Sequence, residues 1–504
     1  MIIISYNSYM VRKKRTTRPI LMLFVLVIVG ILLVFGIQFV TKTGFFKVPG
    51  VVNYDQSLNE SEIKVLGEIF TDEIELDKDV TISAKNSLER PDLESGEYLY
   101  NIYVPLTDFY STETNISASD PDVLFADPYI SEVAYTMTDI NELDFRKKLL
   151  SINDKYYLDV FDAGAVFRTV KFDSETFDEE IKPLVDEKFT KEYPDKDTVL
   201  SFAQTGVTAL SRGMNKKLVE VGGDATYFAE KIKDFLGGFD ITHTSNESSF
   251  TNLATSENIC SDTRFIDTLK AISLDVVELT GNHNQDCGID AALNTIDIYE
   301  QNNIKMVGGG RNADEASKPL EITNKNNGIT FLAYNQSTGG ATLGSTPGAN
   351  QYYEENAESE IRRAKERGDF VVIDIQYYEC SAYASEYEDP TCDRADSAAG
   401  DQVGFFRHLI DLGADMVVGT SAHQPQTFEL YGNGVIYYGL GNLFFDQYWW
   451  PGTTRSLVLG NYYYKNKLLQ TKITPTVYDA SMQTRVLEKD AAKVFLNRLI
   501  GVKP

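Results

Sequence analysis

The stretch Val276-Val277-Glu278-Leu279-Thr280-Gly281-Asn282-His283-Asn284-Gln285-Asp286-Cys287-Gly288 passes from a hydrophobic run of strand length into a polar loop. The loop carries glycine, amides, an imidazole and a carboxylate, and a helical pattern follows at 289–302. Strands buried in α/β sheets read as apolar on both faces, and such sheets keep ligand sites in the loops beyond the carboxyl ends of their strands. A second stretch, Met416-Val417-Val418-Gly419-Thr420-Ser421-Ala422-His423-Gln424-Pro425, repeats the arrangement. Together the two loops hold two of the chain's four histidines. A neutral imidazole beside an amide oxygen makes a pair of metal ligands.

Outward from these loops the same rhythm continues. An apolar run at 199–203 precedes a helical pattern at about 215–236, and a run at 239–244 precedes a helix at 262–273. Phe370 to Ile375 leads through a loop to a helix at 402–412, and Val435-Ile436-Tyr437-Tyr438 and Leu468 to Val477 add further β structure. Strands alternating with helices of this length predict an α/β domain built on a layered sheet. From about 61 to 174 the pattern is mixed and shows no ligand spacing. The stretch from Asp173 to Asp197, dense in Asp, Glu and Lys and holding Pro183 and Pro194, reads as a domain boundary.

Pro19 to Val40 is uncharged and long enough to cross a bilayer as a helix. Arg12, Lys13, Lys14, Arg15 and Arg18 precede it, which keeps the N-terminus cytoplasmic. Phe39-Val40-Thr41-Lys42-Thr43 lacks the small residues of a signal-peptide cleavage site. The expected organisation is a basic tail at 1–18, a transmembrane helix at 19–41, a linker at 42–60, a smaller mixed α/β domain of unassigned role at 61–190 and the main domain at 197–485. The protein is thus expected to sit in the cell membrane with a single pass and its bulk outside the cytoplasm.

Of the 47 basic residues, five lie before this span, leaving 42 against 74 acidic residues beyond it. That excess of negative charge excludes a nucleic-acid partner and suits solubility outside the cell. All four cysteines lie beyond the span, where disulfides persist. Cys380 and Cys392, close together in a loop rich in Tyr, Ser and Asp, are read as the pair. Free buried thiols are the alternative reading for Cys260 and Cys287.

Four further segments fall at strand ends: Thr205 to Arg212, Ser245-Asn246-Glu247, Gln376-Tyr377-Tyr378-Glu379, and Gly439 to Gln447. Each alone has a bland reading. Asn282-His283 could be a turn, Glu247 a capping group, Arg212 a surface ion pair and Gly439-Leu440-Gly441-Asn442 a tight turn. His243, inside a strand, and His408, inside a helical pattern, read as structural.

In order and context these segments resemble the CapA family of capsule and poly-γ-glutamate biosynthesis proteins, over about 197–450. Its most specific carriers are Gly281-Asn282-His283 followed by Asp286 and Gly288, and the run from Gly413-Ala414-Asp415 through His423 to Gly441-Asn442. Val307-Gly308-Gly309-Gly310-Arg311-Asn312 with Glu315-Ala316 also fits. The resemblance implies a layered α-β-β-α sandwich of the calcineurin-like metallophosphoesterase kind. The chain departs from the family in having Gly206-Val207-Thr208 in place of Gly-Asp, Gln376-Tyr377-Tyr378-Glu379 in place of His-x-Gly, and Ser421-Ala422-His423 in place of His-x-His. It is similar in all three to a variant branch that carries Gly-Val-Thr-Ala-Leu.

The missing aspartate is of the kind that bridges two metals. The resemblance therefore implies binding of one divalent metal through Glu247, Asn282, His283, Glu379 and His423, with Thr208, Asn246, Asp286 and Asn442 lining the site. His283, His423, Glu379 and Arg212 form the implied catalytic set, Glu379 or His423 moving a proton and Arg212 holding an anionic substrate group. The expected role is to handle an anionic envelope polymer or its precursor beside other capsule-synthesis membrane proteins, through metal-assisted hydrolysis or transfer at a phosphoester or acyl bond. Two rivals are a catalytically silent scaffold of the export assembly and a solute-binding surface protein that recognises its ligand through 61–190. Because His283 and His423 both sit in loops, removing either is expected to leave no large cavity.

Overall fold

The computed structural model describes residues 50–71, 74, 76–126, 134–189, 191–336, 339–342, 344–377 and 401–500. The expected span at Pro19–Val40, the ligand Glu379 and the pair Cys380 and Cys392 lie outside the described residues. Among the described residues no helix is long and apolar enough to cross a membrane. They fall into two compact units, one drawn from the described residues within Met1–Ala84, Glu94–Tyr98 and Val170–Thr190, the other from those within Lys85–Leu93, Leu99–Thr169 and Lys191–Pro504. In the first, Val52–Tyr54 pairs in parallel with Val80, Thr81 and Ile82. The helix Glu60–Ile69 starts on Asn59, whose side chain accepts from the Glu62 N–H while the Glu62 carboxylate accepts from the Asn59 N–H. That reciprocal pair satisfies two otherwise orphaned donors.

From Lys191 onward the second unit is built on two large sheets. The larger takes its strands from β1 (Leu200–Thr208), β2 (Ile241–Asn246), β3 (Leu274–Glu278) and β4 (Lys305–Val307), with helices α1 (Gly213–Glu220) and α2 (Ile289–Gln301) between them. The smaller holds β5 (Leu320–Asn324), β6 (Asn327–Asn335), β7 (Phe370–Gln376), β8 (Met416–Gly419), β9 (Phe428–Tyr431) and β10 (Gly434–Tyr437), with helices α3 (Glu354–Glu366) and α4 (Gln402–Asp411). The chain then returns to the larger sheet through β11 (Asn442–Phe444), β12 (Arg455–Tyr464), β13 (Lys467–Val477) and β14 (Arg485–Val486). Strand order is β4-β3-β2-β1-β12-β13-β14, with β11 beside the end of β1, and β5-β6-β7-β8-β10-β9. β1 to β4 run parallel, as do β6, β7, β8 and β10, so their carboxyl ends gather on one edge of each sheet.

Alternation along each strand makes the layers. Phe202, Val276, Phe331, Val372, Val418 and Leu459 face a shared core between the sheets, where the Phe202 and Phe331 rings stack 4.8 Å apart. Their neighbours Ala203 and Val277 meet Leu218 and Tyr299 on α1 and α2, and Ile373 and Val417 meet Ile361 and Phe406 on α3 and α4. Each sheet is thus covered by helices outside and by its partner inside, consistent with the expected calcineurin-like layering.

That inner layer is not wholly apolar. Gln204, His243, Glu278 and Asp374 are all fully buried. Gln204 Nε2 donates to Asp374 Oδ1 (2.5 Å), His243 Nε2 stands 3.2 Å from Asp374 Oδ2, and the His243 ring lies against Phe331. His243 is therefore enclosed in the interior, in keeping with its structural reading.

The reading of Cys260 and Cys287 as free thiols is overturned, since the two form a disulfide with Cα atoms 6.0 Å apart. The residues are 27 apart in sequence, too far for the strand-loop pattern to reveal the link. The fold brings them together because Cys287 ends the loop after β3, while Cys260 pairs beside Ser249 in the loop after β2. Closing a loop of this length stabilises a chain by about 3–4 kcal/mol. Reduction is accordingly expected to lower the melting temperature by several degrees, and alkylation with mass spectrometry will show whether the same two thiols appear. An unchanged melting curve after verified reduction would contradict this.

Candidate functional site

The loops after β1, β2, β3 and β8, together with β11, meet at the edge where the parallel strands end. Glu247 leaves β2 with its N–H donated to the Thr208 carbonyl at the end of β1 (3.0 Å). Its side chain is fully buried. Gly281 packs against it so tightly that a Cβ there would lie 2.7 Å from Glu247 Cα and 3.0 Å from the Asn246 carbonyl. Only glycine lets the two loops approach this closely.

His423 enters from the loop after β8. Its Nδ1 is 2.8 Å from Asn442 Oδ1, and its ring lies 5.2 Å from that of Phe445. The orientation of Asn442 is fixed, because its Nδ2 donates to Gln447 Oε1 (3.1 Å) and to the Thr453 carbonyl (3.2 Å). The amide oxygen must therefore face the imidazole, and Nδ1 carries the proton. His423 Nε2 then faces Glu247, whose Oε2 lies 3.8 Å away. Either a proton on Nε2 or a divalent cation between the two groups joins an imidazole to a carboxylate at this distance. Bonds of about 2.0–2.2 Å to nitrogen and oxygen can bridge a gap of this size. The pair, oriented from behind by Asn442, fits a divalent metal.

The remaining expected residues are distributed as follows. His283 Nδ1 contacts Asp286 Oδ2 at 2.7 Å, so its ring is held by its own loop. Asn282 Oδ1 accepts from Gln376 Nε2 (3.2 Å), which ties β7 to the loop after β3. Thr208 Oγ1 bonds Thr244 Oγ1 (2.7 Å), and Asn246 Nδ2 donates to the Ser248 carbonyl (2.9 Å). Arg212, in a left-handed conformation at φ 50°, gives Nη2 to Asp446 Oδ1 (2.6 Å) and lies over the Phe445 ring at 4.5 Å. Its charge is thus neutralised by Asp446, a buried partner outside the expected set. Among the described residues no group of three His, Cys, Asp or Glu side chains is assembled for a metal.

One expectation fails on burial. His423 is 3% exposed, so a loop position does not make it dispensable to packing. Sequence reading also passed over Glu278 at the end of β3. Burial first, and then the nearby Asp374 charge, push its carboxyl up to about 7. Glu278 Oε1 accepts from both the N–H and the hydroxyl of Thr280, so this acid braces the turn that leads into Gly281-Asn282-His283. Its setting in an apolar run, Val276-Val277-Glu278-Leu279, was the available signal.

Residues 201–447 match the family described as bacterial capsule synthesis protein PGA_cap. The chain is 27% identical over 288 residues to the PGA biosynthesis protein CapA of Bacillus subtilis (strain 168), covering 55% of this chain and 72% of that one. It is 28% identical over 193 residues to the capsule biosynthesis protein CapA of Bacillus anthracis, covering 36% and 44%. It is also 26% identical over 191 residues to a probable polyglutamine synthesis accessory protein of Mycobacterium tuberculosis (strain CDC 1551 / Oshkosh), covering 35% and 47%. The match thus spans less than half the length of the latter two relatives.

Proposed function

As the chain belongs to the CapA family through residues 201–447, we propose that it acts in the synthesis of capsule, poly-γ-glutamate or a related anionic envelope polymer. It would do so as a metal-dependent hydrolase or transferase anchored in the membrane through Pro19–Val40, with residues 42–504 outside the cytoplasm. The observation that carries the catalytic part of this reading is the pairing of His423 Nε2 with Glu247 Oε2 at 3.8 Å, with Nδ1 held by Asn442. A divalent cation held there would supply Lewis acidity toward a phosphoester or acyl oxygen. Glu247 and His423 would hold it, with Asn282, His283 and Glu379 completing the set, and the proton at His423 Nδ1 would stay on the Asn442 side. Arg212, fixed by Asp446 and Phe445, would orient the substrate rather than bind a bare anion.

Elemental analysis of the purified chain tests the metal, and one transition metal per chain is the expected result. Protease treatment of intact cells tests the anchor, since degradation of the bulk is expected and its protection would contradict the orientation.

A second reading, a catalytically silent scaffold or polymer-binding protein, is favoured by one observation. Val207 and Thr208 stand where an aspartate that bridges two metals belongs, and the Thr208 hydroxyl is already bonded to Thr244. Absence of bound metal in the purified chain would decide for it.

A further inference from the structure

The Cys260–Cys287 bond lies at the edge where the candidate site is built. Cys287 follows His283 by four residues in the loop after β3, directly before Gly288 and α2. Cys260 and Ser261 pair in parallel with Ser249 and Phe250, which follow Glu247 in the loop after β2. The disulfide therefore joins the loop that carries Asn282 and His283 to the segment that carries Glu247. The Ser249 hydroxyl reinforces it by donating to the Asn284 carbonyl, and the Ser248 and Ser261 hydroxyls meet at 2.7 Å.

The two ends of this tie differ. The Cys260 end is anchored to α1, where Asn215 donates through Nδ2 to the carbonyls of Cys260 (2.8 Å) and Thr255 (2.7 Å). Asn215 Oδ1 also accepts from the Asp262 N–H (3.2 Å). The Cys287 end belongs to a loop folded on itself, since the Asp286 N–H donates to the His283 carbonyl (3.2 Å) and the Gly288 N–H to the Gln285 carbonyl (2.9 Å). Gln285 Nε2 adds a bond to the Pro347 carbonyl (2.6 Å). Hydrogen bonds on half-exposed loops exchange with water, whereas a disulfide holds until it is reduced. Gly281 rests on Glu247 on one side of Asn282 and His283, and the disulfide closes the other. A tie in that place fixes the relative position of ligands as well as the stability of the chain.

We infer that the Cys260–Cys287 disulfide positions Asn282 and His283 against Glu247, so that the site is formed with the bond and loosened without it. The inference rests on the reading of the site as a metal site and adds a redox control to it. Cys260 is 3% exposed and Cys287 is half-buried, so Cys287 Sγ is the sulfur within reach. A thiolate of an external dithiol attacks it and releases Cys260 as a thiolate, which takes up a proton. The second thiol of the dithiol then displaces Cys287 from the mixed disulfide. The dithiol ends as its own disulfide, and two electrons have passed to the cysteine pair.

The double variant Cys260→Ala/Cys287→Ala of the full chain removes this bond and leaves Cys380 and Cys392 in place. Titration with Zn²⁺ and with Mn²⁺ should show an affinity about tenfold or more below the parent's, as when the support of a metal ligand is removed. Hydrogen exchange read by mass spectrometry should speed up at 247–250 and 279–286. The parent, reduced with a phosphine, freed of it and kept from oxygen, should behave alike, and reoxidation should restore both properties. Ile361→Ala, which loosens the packing of α3 on the smaller sheet, should lower the melting temperature and change neither. Unchanged affinity in the double variant, an equal loss in Ile361→Ala, or loss of secondary structure on reduction would overturn the inference. A parent that binds no metal would sink the catalytic reading instead. Exchange then decides the positioning, which faster exchange at 279–286 in the double variant supports and unchanged exchange overturns.

Discussion

Replacing Glu278 with glutamine is expected to stabilise the protein above neutral pH and to leave it unchanged in acid. The carboxyl is enclosed among β2, β3 and β7, close to Asp374 and bonded to Thr280. Its value moves from 4.5 to about 7 in the folded chain. The raised value means that the folded state holds this proton more tightly than the unfolded state does. Stability is therefore intact below pH 4.5, falls as pH rises from there to about 7, and stays reduced above that. Over this range the penalty amounts to about 3 kcal/mol. Glutamine keeps the oxygen that accepts from Thr280 and removes the charge, so Glu278→Gln should be more stable than the parent by up to that amount at pH 8. For a unit of this size that corresponds to a rise of up to about 4 °C in melting temperature. Melting both proteins from pH 4 to 9 tests it. Parallel curves with no widening gap above pH 6 would show that Glu278 does not titrate in this window.

The contrast between Glu278 and its neighbours marks how far the sequence could be read. Val276, Val277, Phe202 and Val372 announce buried strands because an apolar side chain has one favourable fate, and the alternation of strands and helices gives the layers. The strand-end loops with Glu247, Asn282, His283 and His423 were legible for the same reason, since a parallel sheet fixes where its loops must gather. Partners across long sequence separations were not. Asn442 braces His423, Asp446 neutralises Arg212 and Cys260 joins Cys287. No local pattern encodes which polar group will meet which. A buried carboxyl inside an apolar run looks like an interruption until the facing sheet supplies Asp374.

The alanine variant of His423 is expected to lose bound metal altogether while also losing about 2 kcal/mol of stability. The second effect departs from what a loop position suggested. The imidazole is enclosed, rests against Phe445 and satisfies Asn442 Oδ1. Truncation leaves both a void and an orphaned acceptor whose orientation Gln447 and Thr453 prevent from reversing. Metal loss and destabilisation must therefore be separated. Asn442→Leu keeps the imidazole but frees its tautomer, and outer-shell changes of that kind typically cost 10–100-fold in metal affinity. Chelation closes the test. If Glu247 and His423, which face one another at 3.8 Å, share a cation, its removal takes away the stabilisation that binding gives the folded chain, and the parent should melt lower with chelator than without. His423→Ala should show no such difference. A parent that binds no metal and ignores the chelator, with both variants merely less stable, would identify the pair as structural and leave the chain a scaffold.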